Sequence, residues 1–277
     1  MSGSRHLPVV ALAGAAAAWA LLVAGSTGAS AEPAIAAQWS MDEPAGATVM
    51  RDDGPFGLDG AIGDDVEPGG GYYSFTWPWN VQPAELPPSV ERLVVVDDAP
   101  ALDPGLEDFE IEFRYRTNQN YGNVLQKGQN TTVGGYFKIE QPFGFATCLF
   151  KDAAGAQKAV QARTSTSDGE WHTIRCELDR SFGDFGRLRL FVDGQLDQIN
   201  TLNQPLGRIA NDRPLTIGGK FQCNQVVVEC DYFKGDVGEV TIRRAFVASG
   251  PPAGDGISGG ATAGATAARG ERIAVDD

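Results

Sequence analysis

Alternation of apolar and polar side chains is the dominant pattern of this sequence. Residues 109–116 are the clearest case, because every odd-numbered side chain is apolar or aromatic and every even-numbered one is charged. Residues 171–178 and 187–192 alternate in a similar way, and Asp-Gly pairs lie nearby at 168–169 and 193–194. A period of two residues is typical of a half-buried β-strand, and Asp-Gly pairs are typical of tight turns. These runs therefore predict neighbouring antiparallel strands.

Shorter runs of the same kind extend over most of the chain. About a dozen predicted strands lie between residues 34 and 245, separated by turns rich in glycine, and no run has the 3.6-residue period of an amphipathic helix. The sequence therefore predicts an all-β domain of two packed antiparallel sheets, large enough to bury its own core.

The two ends of the chain differ from this region. Residues 1–31 contain an apolar run at 7–24 and end in small residues, which is the pattern of a cleaved secretory signal peptide. The apolar run is also about the minimum length of a membrane span, so an uncleaved anchor is the alternative. Residues 248–277 are rich in Gly, Ala and Thr and predict a disordered tail. We expect a β domain over 32–247, secreted to the extracellular space, with no membrane span after signal cleavage.

The composition narrows the classes of partner. The formal net charge of the 277-residue chain is −14, which argues against a nucleic-acid binder because such proteins need basic patches to neutralise phosphates. The four cysteines of a chain expected to be secreted predict two disulfides, for which three pairings are open. A zinc site is not expected, since the sequence has neither a C-x-x-C pair nor clustered histidines.

Three strings in the predicted strands carry a family resemblance. They are DGEWHTIRCEL at 168–178, LRLFVDG at 188–194 and PLTIGGKF at 214–221. Together they resemble the central strands of laminin-G-like domains, in the concanavalin A-like lectin/glucanase superfamily. The resemblance implies a two-sheet jelly roll. It says less about function, because this fold hosts lectins, adhesion modules and glycosidases alike.

The cysteines carry a second resemblance. The strings GGKFQC and CDYFKGD, which end at Cys223 and begin at Cys230, are similar to the C-terminal part of secreted actinobacterial laminin-G-like proteins, where these cysteines close a loop. The resemblance therefore implies a Cys223–Cys230 disulfide. Cys148 and Cys176 lie in separate predicted strands, and we expect them to pair across the sheet.

Residues suited to catalysis are few. His172 is the single histidine after residue 31, and its place on an apolar strand face favours a structural role. Laminarinase-like enzymes of this fold carry acids at three alternate positions, E-x-D-x-E. Here Glu110 and Glu112 are present but Arg114 takes the third position. A glycosidase needs two suitably spaced carboxylates; Arg114 removes an acid from the pattern and supplies a cation that would keep its neighbouring carboxylate ionised. We therefore expect no catalytic residue and no enzyme activity.

Metal binding is suggested by the resemblance alone. Laminin-G-like modules often carry one calcium at the sandwich rim, and the related pattern near their C-terminal strand is G-x-I-D-E-V. Residues 235–240 read GDVGEV, so Gly238 stands at the usual Asp. Glu239 is retained, and Asp52 and Asp53 of an early loop could join it. No cofactor is required, and a structural Ca²⁺ on these three carboxylates is the expectation to test.

Ligand binding is suggested by an aromatic segment. Residues 69–79 contain five aromatic side chains together with three glycines and a proline. Tyr72, Tyr73, Trp77 and Trp79 are the candidates, because sugars stack on exposed rings; the alternative is that most of them pack in the core.

We accordingly expect a secreted, non-catalytic module that binds an extracellular glycan or a surface protein. The alternatives are a glycoside hydrolase or lyase with an unrecognised site, and a structural module of the cell envelope.

Overall fold

Antiparallel strands account for most of the regular structure in the computed structural model, which describes residues 33–77, 90–222 and 230–245. Three 3₁₀ turns accompany them, at Val90–Arg92, Pro100–Leu102 and Pro142–Gly144. The strands in this part of the chain are β1 (Ala34–Trp39), β2 (Val49–Met50), β3 (Gly60–Ile62), β4 (Val66–Pro68), β5 (Tyr73–Phe75), β6 (Val94–Val96), β7 (Phe109–Arg116), β8 (Asn123–Lys127), β9 (Gly135–Glu140), β10 (Thr147–Asp152), β11 (Gln157–Gln161), β12 (His172–Asp179), β13 (Arg187–Val192), β14 (Gln195–Thr201), β15 (Leu215–Ile217) and β16 (Gly235–Arg244). The predicted all-β class is confirmed.

Two sheets of eight strands form the sandwich. Sheet A has the order β14-β13-β12-β7-β16-β5-β4, with β1 as its eighth strand paired to β16, and sheet B has the order β11-β10-β9-β8-β15-β6-β3-β2. The long strand β16 has two partners on one side, because residues 235–237 pair with β5 and residues 240–244 pair with β1. Between these halves its register against β7 shifts, which marks a bulge at residues 238–239.

The core lies between the two sheets. On β7 the aromatic and aliphatic side chains are buried while the alternate charged ones are at least partly exposed. The Phe109 ring packs against Phe137 of sheet B, with 5.2 Å between ring centroids. Burying such a side chain contributes about 1.5–3 kcal/mol, so the inner faces supply most of the favourable free energy.

A disulfide joins the two sheets through this core. Cys148 on β10 and Cys176 on β12 are fully buried and bonded, with their Cα atoms 6.1 Å apart. The predicted pair is confirmed. It connects sheet B with sheet A, however, rather than two strands of one sheet.

Several predictions concern residues outside the described ranges. These are the signal peptide at 1–31, the tail at 248–277, Trp79 and Cys223. Signal cleavage, tail disorder and the Cys223–Cys230 bridge therefore stay predictions. Within the described ranges, no helix combines the length and the apolar character needed to cross a membrane.

Candidate functional site

The outer face of sheet A carries a dense set of charges. Its members alternate with core residues along β7, β12 and β13, as the period of two requires. The register places Arg175 of β12 opposite Glu112 of β7, and it places Glu177 of β12 opposite Arg189 of β13. Charges of both signs therefore meet across neighbouring strands.

Most charges on this face are paired. The ion pairs are Arg116–Asp236, Arg175–Glu177, Arg189–Glu177, Arg189–Asp179, Arg187–Asp179, Arg243–Glu110 and Arg243–Glu112. Arg114 is the exception among the arginines of this face. It is exposed, and it forms neither a hydrogen bond nor an ion pair with any residue that the structure describes.

Two half-exposed aromatic rings lie beside Arg114. The Tyr72 and Trp171 rings meet edge to face, with centroids 5.8 Å apart. The guanidinium carbon of Arg114 lies 4.1 Å from the Trp171 centroid, and that of Arg116 lies 4.9 Å from it. We call Tyr72, Arg114, Arg116 and Trp171 the aromatic–arginine patch. It combines apolar ring surface with cationic hydrogen-bond donors.

A glycine lies beside this patch. Gly238 is buried in the bulge of β16, and a Cβ atom there would lie 3.6 Å from the Trp171 ring and 3.6 Å from the Arg114 Cβ, which are ordinary contact distances. It would also lie 3.3 Å from the carbonyl oxygen of Gly71, which is a tighter contact. The bulge thus brings the β16 backbone within contact distance of Trp171 and Arg114.

The turn before β5 positions Tyr72. Gly70 and Gly71 have φ values of +69° and +105°, in the left-handed region that glycine adopts readily. The Gly69 N–H donates to the carbonyl oxygen of Tyr72 over 2.7 Å, and the Gly71 N–H donates to Met41 over 2.8 Å. The backbone on both sides of the turn is thus fixed.

His172, the residue after Trp171, is held by two carboxylates. Its Nδ1 lies 2.8 Å from Asp193 Oδ2 and its Nε2 lies 3.1 Å from Asp168 Oδ1. Burial lowers the pKa of His172, but the hydrogen bonds and charges of Asp193 and Asp168 outweigh burial, so the pKa is raised above its ordinary value. The imidazole connects the turn before β12 with the turn after β13. This arrangement agrees with the structural role predicted for it, next to Trp171.

Tyr73, a predicted ligand residue, belongs to the core. Its side chain is fully buried and its hydroxyl donates to Glu43. Burial raises the pKa of Tyr73, and the Glu43 carboxylate raises it further. Consecutive residues of a strand point to opposite faces, so only one of Tyr72 and Tyr73 can reach the surface.

Trp77, another predicted ligand residue, packs in a second cluster. The Arg92 guanidinium lies 3.5 Å from the Trp77 centroid and 5.4 Å from that of Tyr232. Trp77 Nε1 donates to Asp65 over 3.1 Å, and Arg92 Nε lies 3.5 Å from the same carboxylate. We call Trp77, Arg92, Tyr232 and Asp65 the closed cluster, because the Arg92 side chain is only 14% exposed.

Two neighbouring cavities of about 250 Å³ and about 240 Å³ lie against the outer face of sheet B. They share Gln126, Gln129 and Thr131, so amides and a hydroxyl line the space between them. Lys138 and Lys220 line the second cavity, and each pairs with a carboxylate of the protein. The sequence pattern did not indicate these cavities.

Comparison with protein families identifies the fold family. A model of the concanavalin A-like lectin/glucanases superfamily, of laminin G type, matches residues 97–248, which is more than half of the chain. The chain belongs to this superfamily. The predicted resemblance is confirmed. A search of curated protein sequences found no match.

Solved structures share this laminin-G-like fold at low identity. The binding domain of botulinum neurotoxin serotype G is 16% identical, with a TM-score of 0.52 over 76% of this chain and 47% of that one. The receptor binding domain of botulinum neurotoxin D is 10% identical, with a TM-score of 0.53 over 75% and 48%. The binding domain of Paraclostridial Mosquitocidal Protein 1 is 12% identical, with a TM-score of 0.50 over 77% and 48%. This chain spans just under half the length of each.

Three carboxylates on the outer face of sheet A, those of Glu110, Glu112 and Glu177, are held in ion pairs. Glu110 and Glu112 both lie within 4.0 Å of Arg243. Glu177 lies 2.5 Å from Arg189; burial raises the pKa of Glu177, against the lowering effect of that cation. These acids thus belong to a network that spans neighbouring strands, rather than to an open pair flanking a cleft.

The predicted calcium ligands do not form a metal centre. Asp52 accepts backbone N–H groups from Gln38, Gly54 and Leu58 at 2.7–2.9 Å, which occupies both of its oxygens. Glu239 accepts the side-chain amide of Gln38 at 2.9 Å. In the described part of the chain, no three His, Cys, Asp or Glu residues are grouped so that they could hold a metal ion. Asp53 therefore belongs to no such group either. The residues present therefore do not fit the ion that the resemblance implied.

Three residues of the patch, Arg114, Arg116 and Trp171, are not among the ligand residues predicted from the sequence. Trp171 belongs to a run of alternating residues, and Arg114 interrupts an acidic pattern, but neither feature indicates ligand binding. A signal was available, because Trp171, Thr173 and the even-numbered residues of β7 all fall on the polar face of their strands. That Tyr72 joins them depends on the pairing of β5 with β16.

Proposed function

We propose that this protein is a secreted, non-catalytic module that binds an extracellular glycan through the aromatic–arginine patch. The observation that carries the proposal is the pair of half-exposed rings, Tyr72 and Trp171, set among guanidinium groups on one sheet face. Sugars present apolar C–H faces that pack on aromatic rings, and hydroxyl groups that accept hydrogen bonds from guanidinium donors.

Two further observations support binding rather than catalysis. Glu110 and Glu177 of this face each pair with an arginine, whereas glycoside hydrolysis needs a free acid and a free base. The solved structures of similar fold include domains named for receptor binding. A surface protein is the alternative ligand.

Binding to an array of neutral and acidic polysaccharides tests the proposal. Trp171→Ala and Tyr72→Ala should each weaken glycan binding by roughly 1–2 kcal/mol, the scale of a lost ring contact. Phe143→Ala is the matched control, because Phe143 is 70% exposed and its ring contact is with Tyr121, outside the patch.

The same polysaccharides, incubated for a long time and assayed for new reducing ends, test the absence of catalysis. Sustained product release that depends on Glu110 or Glu177 would favour the hydrolase. Failure of the protein to bind any glycan, with the control variants folded, would overturn the proposal in favour of a protein ligand.

A further inference from the structure

Arg114 differs from every other arginine on the outer face of sheet A. Arg116, Arg175, Arg187, Arg189 and Arg243 each lie within 4.0 Å of a carboxylate of the protein. Arg114 is exposed, and no described residue accepts a hydrogen bond from it. In a chain with a net charge of −14, acidic partners are abundant, so an unpaired guanidinium on this face is a specific feature.

Stacking on Trp171 orients this guanidinium. The Arg114 guanidinium carbon lies 4.1 Å from the ring centroid. Stacking uses the flat face of a guanidinium and leaves the N–H groups at its edge free to donate. These donors match the two oxygens of a carboxylate, and a pre-oriented side chain loses less conformational entropy on binding.

Two acids near Arg114 are paired with other arginines. Asp236 is held by Arg116, and Glu112 lies 4.0 Å from Arg243. Glu170 is the exposed acid whose charge acts on Arg116. An incoming carboxylate therefore meets one free cation, with Glu170 as the opposing charge at the rim.

We propose that Arg114 binds the carboxylate of an acidic sugar, so that the patch selects glycans containing uronic acid residues. This proposal rests on the proposed function, because it assumes that the patch binds a glycan at all. It goes further by naming the chemical group that the patch recognises. The rings would contact the sugar, and Arg114 would supply the selectivity.

The test compares each acidic polymer with its own neutral form. Alginate, polygalacturonate and hyaluronate are measured by titration calorimetry beside the same polymers after reduction of their carboxyl groups to alcohols. The protein should bind at least one acidic form about tenfold more tightly than its reduced form, the scale of a charge-assisted hydrogen-bond pair.

Variants identify Arg114 as the source of this selectivity. Arg114→Gln should abolish the difference between acidic and reduced polymers, and Arg114→Lys should keep part of it, because lysine retains the charge without the planar fork. Glu170→Gln should tighten binding of the acidic form. Arg213→Gln is the matched control, since it removes one exposed positive charge beside sheet B and should change nothing.

The outcomes separate the two proposals. Equal binding of acidic and reduced polymers would overturn the role of Arg114 and leave glycan binding intact. Selectivity that survives Arg114→Gln would place the carboxylate elsewhere. Tight binding of a sulfated galactan together with no binding of uronates would contradict carboxylate recognition. Binding of no polymer at all would refute the proposed function itself.

Discussion

The molecule contains two clusters in which arginine stacks on aromatic rings, and they differ in exposure. In the closed cluster, Arg92 lies against both the Trp77 and Tyr232 rings, its side chain is 14% exposed and Asp65 is nearby. In the aromatic–arginine patch, Arg114 is exposed on one side of Trp171 and has no partner for its donors among the described residues. Arginine next to tryptophan thus occurs once in a mostly buried environment and once in an exposed one.

The difference separates a stabilising contact from a binding surface. A cation–π contact is worth about 0.5–1 kcal/mol at an exposed site and about 2 kcal/mol when water is excluded. The closed cluster therefore contributes more to folding. The open patch contributes less to folding and keeps its donors for a ligand. Stacking of arginine on tryptophan does not by itself indicate function; the environment of the guanidinium decides.

The largest effect on stability is expected for Arg92→Ala. This change removes the stack on Trp77 and the ion pair with Asp65, so the free energy of unfolding should fall by about 2 kcal/mol. Urea denaturation measures the loss. Glycan binding by the folded fraction should be unchanged. Unchanged stability, or a loss of binding in folded protein, would contradict the distinction between the two clusters.

An intermediate, pH-dependent effect is expected for His172→Gln. The raised pKa of His172 means that the protonated imidazole stabilises the fold. This contribution is complete below the unfolded pKa of about 6.5 and disappears as the pH rises through the folded pKa. The difference in Tm between the wild type and the variant should therefore be larger at about pH 5.5 than at about pH 9. A difference that grows with pH would show that the neutral imidazole is the stabilising form.

The smallest effect on stability is expected for Arg114→Ala. The side chain is exposed and lacks an ion pair with the described residues, so only its contact with Trp171 is lost, and the free energy of unfolding should fall by at most about 1 kcal/mol. Comparison with Arg92→Ala under identical urea conditions completes the test. A loss as large as that of Arg92→Ala would mean that the open patch is structural too.

The local alternation of apolar and polar residues determined the fold class and much of the core of this protein. The strict alternation along residues 109–116 already assigned Phe109 and Ile111 to the core and the charged residues to the outer face, because a strand turns successive side chains to opposite sides. The turn signals and the missing helical period set the all-β class. The disulfide predicted between Cys148 and Cys176, which lie in separate predicted strands, is confirmed. The alternation pattern did not indicate that these two strands belong to different sheets.

The tertiary structure alone decided which aromatic rings meet the solvent. Alternation says that Tyr72 and Tyr73 face opposite ways, but only the pairing of β5 with β16 buries Tyr73 and brings Tyr72 to Trp171. Residues 72 and 171 lie about a hundred positions apart, and the bulge at Gly238, which lies next to Trp171, belongs to a third strand. Such contacts depend on the register between distant strands, which the period of any one strand does not contain.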